Sequence, residues 1–345
     1  MRPAYAGPPD GRRDHRPAGS KAKTATDEAP LWRGFHVLRS VSVKLGLADL
    51  VDPRLLPHVE ASRAFYAHRP PGRGPSNLEE LRAARARRST PTPTTTPPWG
   101  EVVSADGRSV PLRIHVPASR PAAGVILDIH GGGFYLGSAA DGDNRNRALA
   151  DDLGVVVASV DYRLAPEHPW PAATEDCETA ALWLAEHALE RFGTGRLALS
   201  GFSAGATLAV TTLLRLRDRG IAAASAAVLQ FGTYDLSTRT PAGRLIADEY
   251  FLEAYAGGAA DRTDPDLSPI YADLTGLPPA LIVIGDSDIL LQDNLAMATR
   301  MSAAGVDIDL RLYPASPHGF TAHPTPMAHA ARDHIAAWLH AQLNS

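Results

Sequence analysis

Short unbroken apolar runs of strand length alternate with longer helical stretches over most of this chain. Residues 125–129, 155–160, 197–199, 226–231 and 280–284 are largely apolar and, with 308–312, are candidate strands of a sheet buried on both sides. Helical patterns separate them at 145–153, 174–191, 204–217, 293–304 and 327–343. Two further strands, 101–104 and 110–116, straddle Asp106-Gly107, a two-residue hairpin signal. An antiparallel opening followed by repeated strand–helix units predicts an α/β fold. Its sheet is mostly parallel and eight-stranded, with helices on both faces.

The remaining stretches break this rhythm. Residues 1–30 are rich in Pro, Gly, Ala and charge and nearly lack large apolar groups, so burial cannot offset their ordering entropy and a disordered tail is expected. Residues 31–45 are dense in apolar side chains. After Asp52-Pro53 and Leu56-Pro57 comes a helical run over 59–66, then a short helix with Asn77 as N-cap and Leu78, Leu81 and Arg82 inside it. Too short and too apolar to stand alone, 31–88 reads as a helical cap on a catalytic domain at 89–345, entered through the Pro/Thr connector 89–99. Residues 233–278 are long and irregular, with local helix near 246–256. An insertion of that length is usually functional and is expected to join the cap.

Composition narrows the field only modestly. Over 345 residues the chain is 44% hydrophobic and 21% charged with net charge −4, which leaves no basic footprint for nucleic acid. No apolar run approaches membrane-spanning length, and no apolar core of a secretory signal follows the charged N-terminus. The lone cysteine, Cys177, allows no intrachain disulfide and suits a cytoplasmic protein.

The chemistry concentrates at four strand ends. Gly201-Phe202-Ser203-Ala204-Gly205 sits between an apolar strand and a breaker-free helix. A serine on so sharp a turn is pushed above the sheet, with the helix N-terminus aimed at the reacting centre. His130-Gly131-Gly132-Gly133-Phe134 closes another buried strand, and three glycines let backbone N–H groups converge on an oxyanion. His318, in the loop after the last strand, is the candidate base. It is preferred to His323 and His130 because ligands gather at the carboxyl edge of open α/β sheets. Asp286, Asp288 and Asp293 compete for the acid, and at least one is expected to be a helix N-cap. Spacing alone does not separate them.

These runs together resemble the hormone-sensitive-lipase family of α/β-hydrolase-fold esterases. His130-Gly131-Gly132-Gly133 resembles its HGGG motif. The run from Asp161 to Ala173, the serine motif, the Gly-x-x-Asp-x-Leu run at 285–290 and His318-Gly319-Phe320 match as well. The resemblance implies a Ser203–His318–Asp288 triad and oxyanion donors at Gly132, Gly133 and Ala204. It makes His130 and Gly131 supports of the glycine loop. Arg163 and Glu167 are expected to tie the second run down by buried ion pairing. Phe202 stands where the family usually has Asp, and Ala206 where it usually has Gly. Phe202, or Phe134 and Tyr135, is expected to line the acyl or alcohol pocket, with core packing the alternative for Phe202.

The function implied is a metal- and cofactor-free serine carboxylesterase acting on small esters of short to medium acyl chains. Deacylation of a specialised metabolite by the same residues is the nearest alternative. A non-catalytic receptor, or an elimination on the same fold, stands further off. A homodimer through the sheet edge is implied by the resemblance alone.

Overall fold

Asp106 and Gly107 both adopt left-handed backbone, with φ of 55° and 75°, as a two-residue hairpin turn on twisted strands requires. They join strand β1 (Trp99–Ala105) to β2 (Arg108–His115), with Ala105 opposite Arg108. β2 then pairs antiparallel with β4 (Val156–Val160). The others are parallel: β3 (Val125–Ile129), β5 (Leu197–Phe202), β6 (Ala224–Gln230), β7 (Ala280–Gly285) and β8 (Ile308–Tyr313). The eight strands lie in the order β1-β2-β4-β3-β5-β6-β7-β8, the α/β-hydrolase arrangement the sequence predicts. This computed structural model describes residues 46–69, 74–88, 97–118 and 121–344. The tail at 1–30, the apolar stretch 31–45 and most of the 89–99 connector lie outside the described residues.

Alternation within the strands divides the core in two. Val125, Leu127 and Ile129 of β3 pack with helices α4 (Ala172–Phe192), α5 (Ala204–Asp218) and α7 (Leu291–Ala303). Ile126 faces the other way, toward α3 (Asp143–Leu153) and α8 (Pro326–Asn344). Both faces of β3 are thus buried, and its one polar residue, Asp128, is paired with Arg145 and Asn146. Boundaries shift by a few residues. Helix α3 begins at Asp143 because a polar first turn is invisible to apolar periodicity.

The described parts of the expected cap go to separate places. Helix α1 (Val59–Ala67) packs on α8 and on the loop after β8, and the segment before it reaches the outer edge of β8, where Val51 bridges Leu312 in parallel. A homodimer built through that edge would have to displace this contact. Helix α2 (Leu78–Arg88) opens with Asn77 Oδ1 accepting from the Glu80 N–H at 3.0 Å, and Leu81 is fully buried. Arg85 fixes α2 beside the glycine loop. It donates to the carbonyls of Tyr135 at 2.9 Å and Ala165 at 2.5 Å, and to Glu167 at 2.8 and 2.9 Å.

Residues 233–278 contain one α-helix, α6 (Tyr250–Ala256), and short turns at Gly243–Ile246 and Pro269–Tyr271. The segment is knotted at its start by buried Asp235, whose carboxylate accepts from the N–H groups of Ser237 at 2.9 Å and Thr240 at 2.8 Å. Among the described residues no helix is long and apolar enough to cross a membrane.

Candidate active site

Ser203 follows β5 and caps α5 with φ 54° and ψ −119°, a conformation that non-glycine residues rarely adopt. It persists because the backbone around it is fixed: the Ser203 N–H donates to Gln230 O at 2.9 Å, and its carbonyl accepts from Ala206 N at 2.8 Å. The flanking glycines leave no alternative. A Cβ at Gly201 would lie 2.3 Å from Gly205 O, and one at Gly205 would lie 2.0 Å from Ile129 O. The elbow is therefore pressed against the end of β3, which is where the glycine loop begins.

His318 stands on the loop after β8, with Nε2 2.9 Å from Ser203 Oγ. Its Nδ1 is 3.0 and 3.1 Å from the two carboxylate oxygens of Asp288, which lies after β7 and whose side chain is buried while the imidazole is partly exposed. The loops holding Asp288 and His318 are zipped together: Asp286 N donates to Tyr313 O at 3.0 Å and Ser287 N to Ser316 O at 3.3 Å. Asp288 Oδ1 also accepts from Leu290 N at 2.8 Å, which fixes the carboxylate at the start of α7.

The other two acids have other partners. Asp286 is exposed and accepts from Ser287 Oγ. Asp293 is buried in the first turn of α7, where Oδ2 accepts from Tyr234 N at 2.5 Å, and burial pushes its carboxyl up to about 7. None of the three is the N-cap expected of one of them. Leu290 holds that position without a side-chain bond.

Gly132, Gly133 and Phe134 all have positive φ, at 122°, 60° and 63°. Among the described residues no internal acceptor takes the N–H of Gly132, Gly133 or Ala204. Ala204 is the first residue of α5 and has no intrahelical acceptor, so its N–H faces the site with the positive end of the helix dipole. His130 is buried beneath the loop. Its Nδ1 lies 2.8 Å from Gly131 O, and its ring stacks on Tyr162 with 4.1 Å between centroids. Tyr162 OH closes the contact by donating to His130 O at 2.9 Å.

Around this centre the aromatic residues divide. Phe134 is fully buried and stacks on Tyr255 of α6 at 4.0 Å, and Tyr135 is buried against α6 with its ring 6.4 Å from that of Phe251. Phe202 is half-buried, edge-on to Phe231 at 4.6 Å, and Phe231 in turn meets the His318 ring at 5.1 Å. Sequence reasoning missed Phe231 and Phe251. Phe231 immediately follows β6, beside β5, where the carboxyl-edge rule could have flagged it. Phe251, against Gly133, lies on an irregular segment that carries no such signal.

The second run is held by two separate ion pairs. Arg163 binds buried Asp176 of α4 at 2.8 Å. Glu167, expected in buried pairing, is half-exposed and binds Arg85 of α2. Its place on an outward turn allows water to reach it.

The profile of a family described as alpha/beta hydrolase fold matches residues 126–322. The carboxylic ester hydrolase LipN of Mycobacterium tuberculosis is 35% identical over 228 residues, covering 61% of this chain and 61% of that protein. Ethyl acetate hydrolase of Pseudomonas putida is 34% identical, covering 64% of this chain and 74% of the relative. Among solved structures, an esterase of Pyrobaculum calidifontis superposes with a TM-score of 0.72 at 29% identity, covering 79% of this chain and 95% of that one.

Proposed function

Because the chain belongs to the hormone-sensitive-lipase family of α/β-hydrolase-fold esterases, we propose that it is a serine carboxylesterase working through Ser203, His318 and Asp288. One observation carries the reading: the unbroken hydrogen-bonded line from Ser203 Oγ through both imidazole nitrogens to buried Asp288. His318 Nε2 takes the hydroxyl proton as Oγ attacks the ester carbonyl. Asp288 holds the tautomer that leaves Nε2 free and stabilises the imidazolium that forms. The N–H groups of Gly132, Gly133 and Ala204 bind the oxyanion. The imidazolium then protonates the departing alcohol, and water admitted by the same base releases the acyl group from Ser203.

The substrates are small esters of short to medium acyl chains. Half-buried Phe202 and Phe251 form the apolar walls, while the buried positions of Phe134 and Tyr135 favour packing roles for those two. Helix α2 and residues 233–278 serve as the cover, supported by the contacts of Arg85, Phe251 and Tyr255 with the glycine loop.

Hydrolysis of p-nitrophenyl esters from acetate to palmitate, by wild type and Ser203→Ala, tests this. Turnover of the short esters by wild type alone supports the reading, and the optimum sizes the pocket. Inert wild type whose Ser203 still reacts with a fluorophosphonate would redirect the search to acylated metabolites. Folded protein that resists the probe as well would overturn the assignment.

A further inference from the structure

Helix α1 buries one side chain completely, and it is a serine. A buried hydroxyl needs a partner. Ser62 Oγ finds it in the Ala315 carbonyl, 2.6 Å away. Ala315 has φ 49°, a left-handed conformation that a non-glycine residue keeps only where its surroundings hold it. One helical turn further along the same face, Tyr66 OH lies 2.9 Å from His323 Nδ1, and the rings of Phe65 and Tyr66 stand 5.6 and 5.5 Å from that imidazole. Burial, reinforced by Arg69, holds His323 below its ordinary pKa and favours the neutral ring that can accept the Tyr66 proton.

The two contacts fall on either side of His318. The loop is otherwise tied by Ser287 N to Ser316 O, by Thr321 Oγ1 to Gln230 Oε1 at 2.9 Å, and by Arg332 Nη1 to Thr321 O at 2.6 Å. None of these fixes the turn at Ala315 from its outer side.

We propose that α1 is a brace for the base loop, with Ser62 and Tyr66 as positioning residues that keep His318 within reach of both Ser203 and Asp288. The proposal rests on the esterase reading and gives the segment before residue 70 a task distinct from covering substrate. Neither residue touches the reacting atoms, so loosening the brace should lower turnover while leaving substrate binding nearly intact.

The test compares wild type, Ser62→Ala and Tyr66→Phe by two measurements. One is the low-field proton resonance of the His318 Nδ1–H in resting protein, which needs no substrate. The other is kcat and KM for p-nitrophenyl acetate. The brace predicts a broadened or absent resonance in both variants and a fall in kcat of about tenfold with KM little changed, as a small misplacement of a catalytic group produces. Should Ser62→Ala fail to fold, Tyr66→Phe decides by the same readouts. A sharp resonance together with wild-type kcat in the folded variants overturns the proposal and leaves α1 as packing alone. If folded wild type hydrolyses no ester and Ser203 also resists a fluorophosphonate, the esterase reading falls, and the resonance still judges the brace.

Discussion

Gly205 on α5 lies so close beneath Ile129 at the end of β3 that a Cβ there would stand 2.0 Å from the Ile129 carbonyl oxygen. The obstructing atom is backbone, so no rotamer change can relieve it. Because β3 leads into the glycine loop, the contact sets the distance between Ser203 and the N–H groups of Gly132 and Gly133. Gly205→Ala is expected to cost about 1–3 kcal/mol of stability, as overpacking does, and to lose most esterase activity. Thermal unfolding and ester hydrolysis check this. Gly258→Ala, where a Cβ would meet nothing within 4 Å, is the matched control and should change neither.

Asp288→Asn keeps the shape of the acid but replaces the charged acceptor beside His318 Nδ1 with a neutral amide whose NH2 can pair with the wrong tautomer. Turnover should fall by about 10⁴-fold with the fold retained, the loss seen when a triad acid is made neutral. Asp286→Asn, on an exposed side chain, should leave turnover as it was. Steady-state kinetics of the two variants separates the acids that sequence spacing leaves equal.

Asp293 gives stability a predictable pH dependence. Burial raises its carboxyl from 3.8 to about 7, although the N–H groups of Tyr234 and Asp235 favour the ionised form. Between those values the folded state holds a proton that the unfolded chain has released, so rising pH removes stability across that window and the loss levels off above it. Asp293→Asn keeps an acceptor for Tyr234 N and cannot ionise. Denaturant titrations near pH 5 and near pH 8 should therefore show the variant gaining on wild type at the higher value. An unchanged difference would mean that the carboxyl titrates normally.

Arg85→Lys should loosen α2 although the charge is kept. The guanidinium reaches two carbonyls and a carboxylate at once, and an ammonium has no such fork. A loss of about 1–3 kcal/mol is expected, as for hydrogen bonds to charged groups, with faster hydrogen exchange across 78–88. Glu167→Gln should be milder, since that carboxylate is half-exposed and its pair is screened.

Legibility followed the period of the chain. Strands buried on both faces announce themselves as largely apolar runs, and all eight strands, the partly exposed β1, β2 and β8 among them, lie within a few residues of where the sequence puts them, as does the two-residue turn at Asp106-Gly107. Ser203, Asp288 and His318 were named because each follows such a strand or sits in a run with a family resemblance, and the structure places them within hydrogen-bonding distance in series. What escaped was set by contacts between distant segments. Nothing in the sequence joins Ser62 to Ala315, or Arg85 to Ala165, because a polar side chain on a short helix reads alike whether it faces water or a carbonyl. The separate destinations of α1 and α2 were hidden for the same reason. Phe134 and Tyr135 are expected at the pocket by position, and their stacking on Tyr255 and burial against α6 depend on the irregular segment that covers them, which leaves no mark in the sequence around 134–135.

The chain order of the site has a consequence for refolding. Ser203 and His318 are 115 residues apart, and Asp288 lies between them on a different strand. A partly folded chain can therefore form β3, β5 and the elbow, with the serine already in its strained turn, while β8 and its loop are still undocked. Such an intermediate would hold Ser203 without the imidazole that stands 2.9 Å from its hydroxyl. Return of hydrolysis during refolding would thus require the docking of β8, whose following loop carries His318, as well as formation of the elbow.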